Sequence, residues 1–421
     1  MNRLIVVGAG PAGLTLALQL ARAGQAVTLL DARRDFSRSL RGDALMPCGL
    51  EAIARMGLWS LLTGLPQRAL EGWSVWVEGQ ELFRVAEPMG ALHPCRLVAQ
   101  QHLLEALLQE ALAQPTFNWM PGVTVSGLLE GDADPGQDPR VQGVRLVDGR
   151  ELKADLVIGC DGRDSLVRRM AGLRLEKLGA PLELLWLVLP KRAATGECTP
   201  KGFFTLVAGG AIASACIGAD GDLQLGWLLK PGESTPQRSA SEWANAIAAI
   251  APDELARLLL RQGHQLRQPQ RFSVQVGVAE RWQRPGMLLL GDAAHPMSPI
   301  RAQGINQALR DSWVAAQELL IALEETDQPP FVTPAEPPAG LCQQQLWWHL
   351  DQASLRIETR RRPEIQQLQR LQLAEAQQGH WIGHHALLRQ VLAWTSPLSG
   401  RLAKTVWTAR QRPLREGAVW L

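Results

Sequence analysis

Residues 4–31 read LIVVGAGPAGLTLALQLARAGQAVTLLD, and the rest of the chain is organised around them. Leu4 to Val7 is a short apolar run that breaks at Gly8-Ala9-Gly10-Pro11-Ala12-Gly13. Leu14, Leu16, Leu18, Leu20 and Ala21 continue as an apolar-periodic helix that stops near Gly24, and Ala26 to Leu30 reads as a second buried strand closing on Asp31. The pattern is a strand–turn–helix–strand unit with an acid 18 residues after the third glycine. Each glycine has a physical reason. Gly8 permits the tight turn, Gly10 lets the backbone approach a pyrophosphate, and Gly13 lets helix and strand pack closely. The pyrophosphate then sits on the helix N-terminus, where unpaired N–H groups point at it, and Asp31 accepts from ribose hydroxyls. This is a dinucleotide-binding unit at the head of an α/β fold.

Composition bounds what such a unit serves. The chain has 421 residues, 46% apolar and 20% charged, which is globular and long enough for one α/β unit with an inserted domain. Lys and Arg number 43 against 41 Asp and Glu, so no basic excess marks a nucleic-acid partner. No apolar run approaches the roughly 18 residues of a membrane span, and the first residues enter a strand with no signal-peptide layout. Six cysteines (48, 95, 160, 198, 216 and 342) contain no CxxC pair, which reads as reduced thiols in a cytoplasmic protein with no metal site. There are 15 tryptophans and no tyrosine, so any mechanism that needs a phenolic hydroxyl of the protein is excluded.

Farther along, GWSVWVEGQELFRV (72–85) alternates like a hairpin, and Leu97 to Ala113 reads as a helix. Strands are expected at Val123–Leu129 and Val141–Leu146, joined by the turn-rich DADPGQDP, and at Leu156–Cys160. From about 171 to 280 come short alternating strands (LLWLVLP, FFTLVAG, AIASACIG, LQLGWLL) with a helix near 241–261, as in an inserted antiparallel sheet. Met287–Leu290 is a last apolar strand, followed by a loop and a long helix from about Gly304 to Glu325. The expected division is a discontinuous nucleotide domain (1–70, 96–170, 271–325), a substrate domain (71–95, 171–270), a proline-rich connector (326–340) and C-terminal helices (341–421).

Three motifs then occur in order: GAGPAG at 8–13, VIGCDGRDSLVRR at 157–169 and LLLGDAAHPMSPIRAQGIN at 288–306. The combination resembles the single-component (group A) FAD-dependent aromatic hydroxylases, over roughly residues 1–325. The resemblance implies a Rossmann-type FAD-binding domain with an inserted antiparallel β-sheet substrate domain and a C-terminal helical region. It implies that Gly8, Gly10, Pro11, Ala12 and Gly13 hold the FAD pyrophosphate and Asp31 the adenosine ribose, where the family usually has Glu. Arg33 and Arg41 would lie near flavin and pyrophosphate, and Gln100 would contact FAD. Asp161, Gly162, Ser165 and Arg168 would serve FAD and NAD(P)H together. Gly291 and Asp292 would meet the ribityl and pyrophosphate region. Gln303, Gly304, Ile305 and Asn306 would open the helix beneath the isoalloxazine, whose N-terminal N–H groups favour negative charge on the reduced ring.

The implied chemistry is reduction of FAD by NADPH or NADH, reaction with O₂ to a flavin C4a-hydroperoxide, and hydroxylation or epoxidation of an aromatic, quinone-like or polyprenyl small molecule. His295 is the histidine to examine for a proton role, because its motif places it beside the flavin; packing within the GDAAHP turn is the alternative. Arg41 is the second catalytic candidate. The run Arg33, Arg34, Arg38 and Arg41 suits a 2′-phosphate or is a solvated basic loop, so both nicotinamides stay open. Trp73, Trp76, Trp186 and Trp227 fall on substrate-domain strands, as pocket wall or as sheet packing. Two positions depart from the family pattern. Ala302 stands where glycine is usual and would be strained at positive φ, and Arg301 either meets substrate or cofactor or points to solvent.

From Arg356 to Leu421 the chain carries 11 Lys and Arg against 4 Glu. Trp381, Trp394, Trp407 and Trp420 recur every 13 residues, a spacing that does not line one helical face, and Pro397 interrupts the run. ALLRQVLAW and RLAKTVW are amphipathic, suited to a peripheral membrane contact, to covering the flavin domain or to a homodimer contact. Rival functions are a flavin-dependent reductase or dehydrogenase of a polyprenyl substrate, a non-catalytic FAD-binding redox protein, and a halogenase. The last is disfavoured because WSVW at 73–76 is not followed by Ile-Pro.

Overall fold

The computed structural model describes residues 3–36, 44–132, 138–191, 202–230, 232–327 and 339–417. Its first sheet is built on the opening motif. Strand Leu4–Val7 lies between Val27–Asp31 and Leu156–Gly159, with Met287–Leu289 beyond, all parallel. A strand that periodicity did not reveal, Phe117–Pro121, extends the sheet on the far side of Val27–Asp31. Its FNWMP sequence lacks a β-branched run, and its proline is tolerated because the strand is an edge. The expected strand at Val123 begins instead at Val125 and belongs to a separate three-stranded antiparallel sheet with Val141–Leu146 and Glu151–Lys153.

Helix Pro11–Arg22 packs on the parallel sheet, and the long helix Gln303–Asp327 lies against it. Leu14, Leu16, Leu18, Leu20, Leu309 and Val314 are fully buried between them, so the helix after the third motif is part of the nucleotide domain's core. Helix Ala339–His384 covers the outer side of Gln303–Asp327. Their contact is unusually polar. Asp311 accepts from His295 Nε2 and Arg361 Nε, each at 2.7 Å, and from the Gly291 N–H at 3.0 Å, while Arg310 pairs with Glu364 at 3.0 Å. All these side chains are buried.

The second sheet has seven strands in the order 270–274, 182–189, 223–228, 211–217, 203–208, 72–77, 80–86. It is not wholly antiparallel as expected: Phe203–Ala208 runs parallel to Gly72–Val77. The hairpin 72–86 comes from far earlier in the chain, and the long crossover through the nucleotide domain is what a parallel junction requires. Alternation divides the faces. Leu185, Leu187, Phe204, Leu206, Ala213, Ala215, Leu223 and Leu225 pack on two helices, Ala240–Ala248 and Asp253–Gln262. The single helix expected near 241–261 is split because Pro252 caps the second one. The opposite face looks toward the nucleotide domain.

The C-terminal helices Ala386–Trp394 and Ser396–Glu416 lie on the hairpin 72–86, and the second also touches the flavin domain at helix Pro47–Arg55 and, through Leu414, at Gln303. Pro397 starts the second of them. Arg415 and Glu87 form a buried ion pair, Nη2 to Oε2 at 2.6 Å, and Trp73 Nε1 donates to the same carboxylate at 2.5 Å. Among the described residues no helix is long and apolar enough to cross a membrane.

Candidate active site

One cavity of about 2250 Å³ runs from the Gly8–Gly13 turn to the inner face of the seven-stranded sheet. A drug-sized ligand fills roughly 300–1,000 Å³, so this space holds a large cofactor and a substrate together. The nucleotide end passes a direct test of fit. A Cβ on Gly8 would stand 2.5 Å from the Cys160 carbonyl oxygen, and one on Gly13 2.0 Å from that of Gly8. A Cβ on Gly10 would meet nothing within 4 Å. Two glycines therefore close the turn, and the third leaves space in front of a helix that starts with Pro11 and has no side-chain cap. That is the cradle a pyrophosphate needs.

Asp31 lies at the cavity edge, its carboxylate accepting from the N–H groups of Ala9 and Arg33 at 2.7 Å each. Remaining lone pairs are free for a ribose. Arg33, Gln100, Asp161, Gly162, Arg168, Gly291 and Asp292 also line the cavity. The second and third motifs are tied together here. Arg163 Nε reaches Asp292 Oδ2 at 2.9 Å, and Arg168 Nη1 reaches the Ala293 carbonyl at 2.7 Å. Burial lowers the Arg168 pKa. Asp161 is occupied locally, accepting from Ser165 Oγ at 2.5 Å and from the Leu166 N–H at 2.6 Å. Arg163 had been readable only as part of its motif; its partner is 129 positions away.

Several expected residues serve differently. His295 is 1% exposed, stacks against Trp282 and bonds Asp311; it does not line the cavity, and its position is that of a packed scaffold residue. Gln303 and Asn306 also lie off the cavity. Gln303 Nε2 donates to the Arg301 and Leu414 carbonyls, while Asn306 bonds the Met46 N–H at 2.8 Å and the Ala44 carbonyl at 3.0 Å. They fix the helix start so that Gly304 and Ile305 face the cavity. Arg41 and Arg38 lie outside the described residues.

Arg301 is not solvated. It lines the cavity, pairs with Glu375 and has its guanidinium carbon 5.1 Å from the Trp73 ring centroid and 4.8 Å from that of Trp407. Both Arg301 (φ 59°) and Ala302 (φ 49°) are left-handed, so the departure from glycine is accommodated in a strained turn. Trp73 and Trp186 line the cavity; Trp76 and Trp227 face the helical layer behind the sheet. Trp407, Gln378 and Gln411 from the C-terminal helices complete the wall. Sequence reasoning left these unassigned because nothing local pairs residue 301 with 375 or 407. Among the described residues no histidine lines the cavity, and Glu375 is the carboxylate at its substrate end. Burial pushes the thiols of Cys48 (to about 11), Cys95 and Cys160 upward, which removes them as ready nucleophiles.

Comparison with known proteins agrees with this geometry. A family described as FAD binding domain matches residues 2–332. The 6-methylpretetramide 4-monooxygenase of Streptomyces rimosus is 34% identical over 336 residues, 76% of each chain. The 3-demethoxyubiquinol 3-hydroxylase of Escherichia coli is 26% identical over 331 residues, 74% of this chain and 77% of that one. In fold, PqsL from Pseudomonas aeruginosa superposes with a TM-score of 0.72 at 20% identity, covering 93% of this chain and 99% of the other.

Proposed function

The chain belongs to the family of FAD-dependent aromatic monooxygenases, and from that premise we propose that it inserts one oxygen atom of O₂ into a flat, electron-rich, largely apolar small molecule, with NADPH or NADH as reductant. The observation that carries the reading is the single cavity joining the Gly8–Gly13 cradle to an aromatic sheet face. Bound FAD supplies the electron transfer and the activation of O₂.

The protein's own residues bind, orient and exclude water. The backbone around Gly10 and Ala12 takes the pyrophosphate, Asp31 the adenosine ribose, and Asp292 the adjoining polar chain. Gly304 and Ile305 present the N-terminus of Gln303–Asp327 to the cavity, where developing negative charge is stabilised. Trp73, Trp186, Phe203 and Phe272 offer flat apolar surface to a ring system, and Thr205, Ser214 and Gln224 supply the few polar contacts that fix orientation. With no tyrosine in the chain and no histidine in the described lining, no phenol or imidazole base stands beside the substrate among the described residues. The favoured substrate is therefore one whose ring is already activated by hydroxyl or amino groups. The names of the two relatives, a 6-methylpretetramide 4-monooxygenase and a 3-demethoxyubiquinol 3-hydroxylase, support this class. There is no second glycine-rich fingerprint, so the nicotinamide nucleotide would bind transiently.

The test uses purified, FAD-loaded protein with NADPH or NADH and ¹⁸O₂, against a panel of polycyclic phenols and quinols. Label in the organic product of at least one compound is expected. Hydrogen peroxide as the sole oxygen product with every compound, at an unchanged rate of nicotinamide oxidation, overturns the reading.

A further inference from the structure

Helices Ala386–Trp394 and Ser396–Glu416 have two apolar faces. Their inner faces, through Leu388, Leu392, Ala403 and Trp407, line the cavity. Their outer faces carry Leu387 (79% exposed), Val391, Trp394 (87%), Leu398 (79%), Leu402 (70%) and Val406. Within each helix these residues are spaced three or four apart, so each set forms one stripe. Both helices rest on the hairpin 72–86 and touch each other, so the two exposed stripes belong to neighbouring elements. Soluble chains seldom leave apolar residues of this size contiguous without something to cover them.

Charge says what covers them. Between Ala386 and Glu416 the only acid is Glu416, which is paired with Arg412. Arg401, Lys404 and Arg410 are exposed on the second helix. A two-fold contact with a second copy would set these cations against their own images, which costs free energy. An anionic lipid surface takes leucines and tryptophan into its headgroup layer and attracts the cations beside them.

We propose that the outer face of helices Ala386–Trp394 and Ser396–Glu416 docks on an anionic phospholipid bilayer, lying in its surface without crossing it. The position of the cavity gives the contact a use. Trp381 and Val406 are each both exposed and part of the cavity wall, so the docked face is continuous with the interior. A lipophilic substrate passes from bilayer to sheet along these two side chains with little exposure to water. Only this delivery route rests on the monooxygenase reading; the lipid contact stands on the apolar stripes and the charge.

The experiment is co-sedimentation of the full-length, FAD-loaded protein with vesicles of phosphatidylcholine alone and of phosphatidylcholine with phosphatidylglycerol. Binding is expected on the anionic vesicles and at least about tenfold weaker on the neutral ones. A variant combining Trp394→Ser, Leu398→Ser and Leu402→Ser should partition at least about tenfold less while keeping the flavin absorbance. Arg401→Gln and Lys404→Gln should each weaken binding about fivefold at low salt. The proposal is overturned if the wild type stays in solution with anionic vesicles, or if the triple variant binds as well as the wild type. It is equally overturned if sedimentation velocity shows a dimer that the triple variant reduces to monomer while neither protein binds vesicles.

Discussion

Arg301 from the loop before the long helix lies 4.8 Å from the ring centroid of Trp407 on the last helix, and so joins the nucleotide domain to the C-terminal cap at the cavity wall. Trp73 flanks the same guanidinium, and Glu375 neutralises it. A desolvated cation–π contact contributes about 2 kcal/mol. Arg301→Gln should therefore lower unfolding free energy by about 2 kcal/mol. It should also cut kcat/KM at least about tenfold, because the wall facing the substrate loosens. Flavin absorbance should be retained, since the Gly8–Gly13 cradle is untouched. Urea unfolding, steady-state oxidation of the nicotinamide and the flavin spectrum read the three effects separately. Loss of flavin with unchanged catalytic efficiency in the loaded fraction would refute the assignment.

Gly10 and Gly13 should separate folding from cofactor binding. A Cβ on Gly13 would collide with backbone, 2.0 Å from the Gly8 oxygen, so Gly13→Ala should fold poorly or not at all. A Cβ on Gly10 meets only open space, and φ there is −73°. Gly10→Ala should keep wild-type circular dichroism and melting yet hold FAD at least about tenfold more weakly, because the methyl group occupies the pyrophosphate approach. Titration of apoprotein with FAD measures this. Wild-type affinity in Gly10→Ala would show that the pyrophosphate binds elsewhere.

These two cases mark what the sequence could reveal. The glycine turn and Asp31 were legible because a local motif specifies a local backbone, and the seven-stranded sheet was legible except for its edge strand Gln270–Val274 because alternation repeats every second residue. The wall was not. Arg301 meets Glu375 in the wall across 74 positions, and the contacts that brace it from behind are as remote: Asn306 meets Met46 across 260 positions and Arg415 meets Glu87 across 328. No periodicity encodes such pairs. For His295 the sequence left two readings, a place beside the cofactor or packing within its turn, and the bond to Asp311, sixteen residues on, holds it in the core. Strand Phe117–Pro121 escaped notice because an edge position tolerates a sequence with little strand character.

Asp311 should make the protein acid-labile. Burial alone would raise its pKa, but His295 and Arg361 outweigh burial and hold the carboxyl at about 2. The folded value lies below the ordinary one of 3.8, so the stabilisation is fully present above about pH 4 and is lost as pH falls toward 2. The shift corresponds to about 2 kcal/mol. Asp311→Asn removes one of the two buried carboxylates that hold Arg361, Glu364 being the other, and the one that holds His295, and should cost about 3 kcal/mol at pH 7. Chemical denaturation at a series of pH values should show the gap between wild type and variant narrowing by about 2 kcal/mol between pH 4 and 2. A gap independent of pH would mean that the carboxylate charge is not what stabilises this contact.

Ala302 should be improvable. At φ 49° its methyl group sits in the left-handed region, which costs an L-residue about 1–2 kcal/mol. Glycine removes that strain but gains freedom in the unfolded chain, a penalty of about 0.4–1 kcal/mol. The balance predicts that Ala302→Gly raises stability by up to about 1.5 kcal/mol, seen as a higher urea midpoint with unchanged slope. Ala302→Val should do the opposite, since a β-branched side chain fits this conformation worse than alanine. The Ala302 carbonyl also accepts from Asn306 Nδ2 at 2.7 Å, so the turn is held from the helix side whichever residue occupies it. Arg301 precedes it at φ 59°, and relaxing one of two consecutive left-handed residues gives the guanidinium more freedom between its two tryptophans. Ala302→Gly should therefore be more stable and slower in turnover at once. A variant that is both less stable and unchanged in turnover would show that the turn carries no strain and plays no part in the wall.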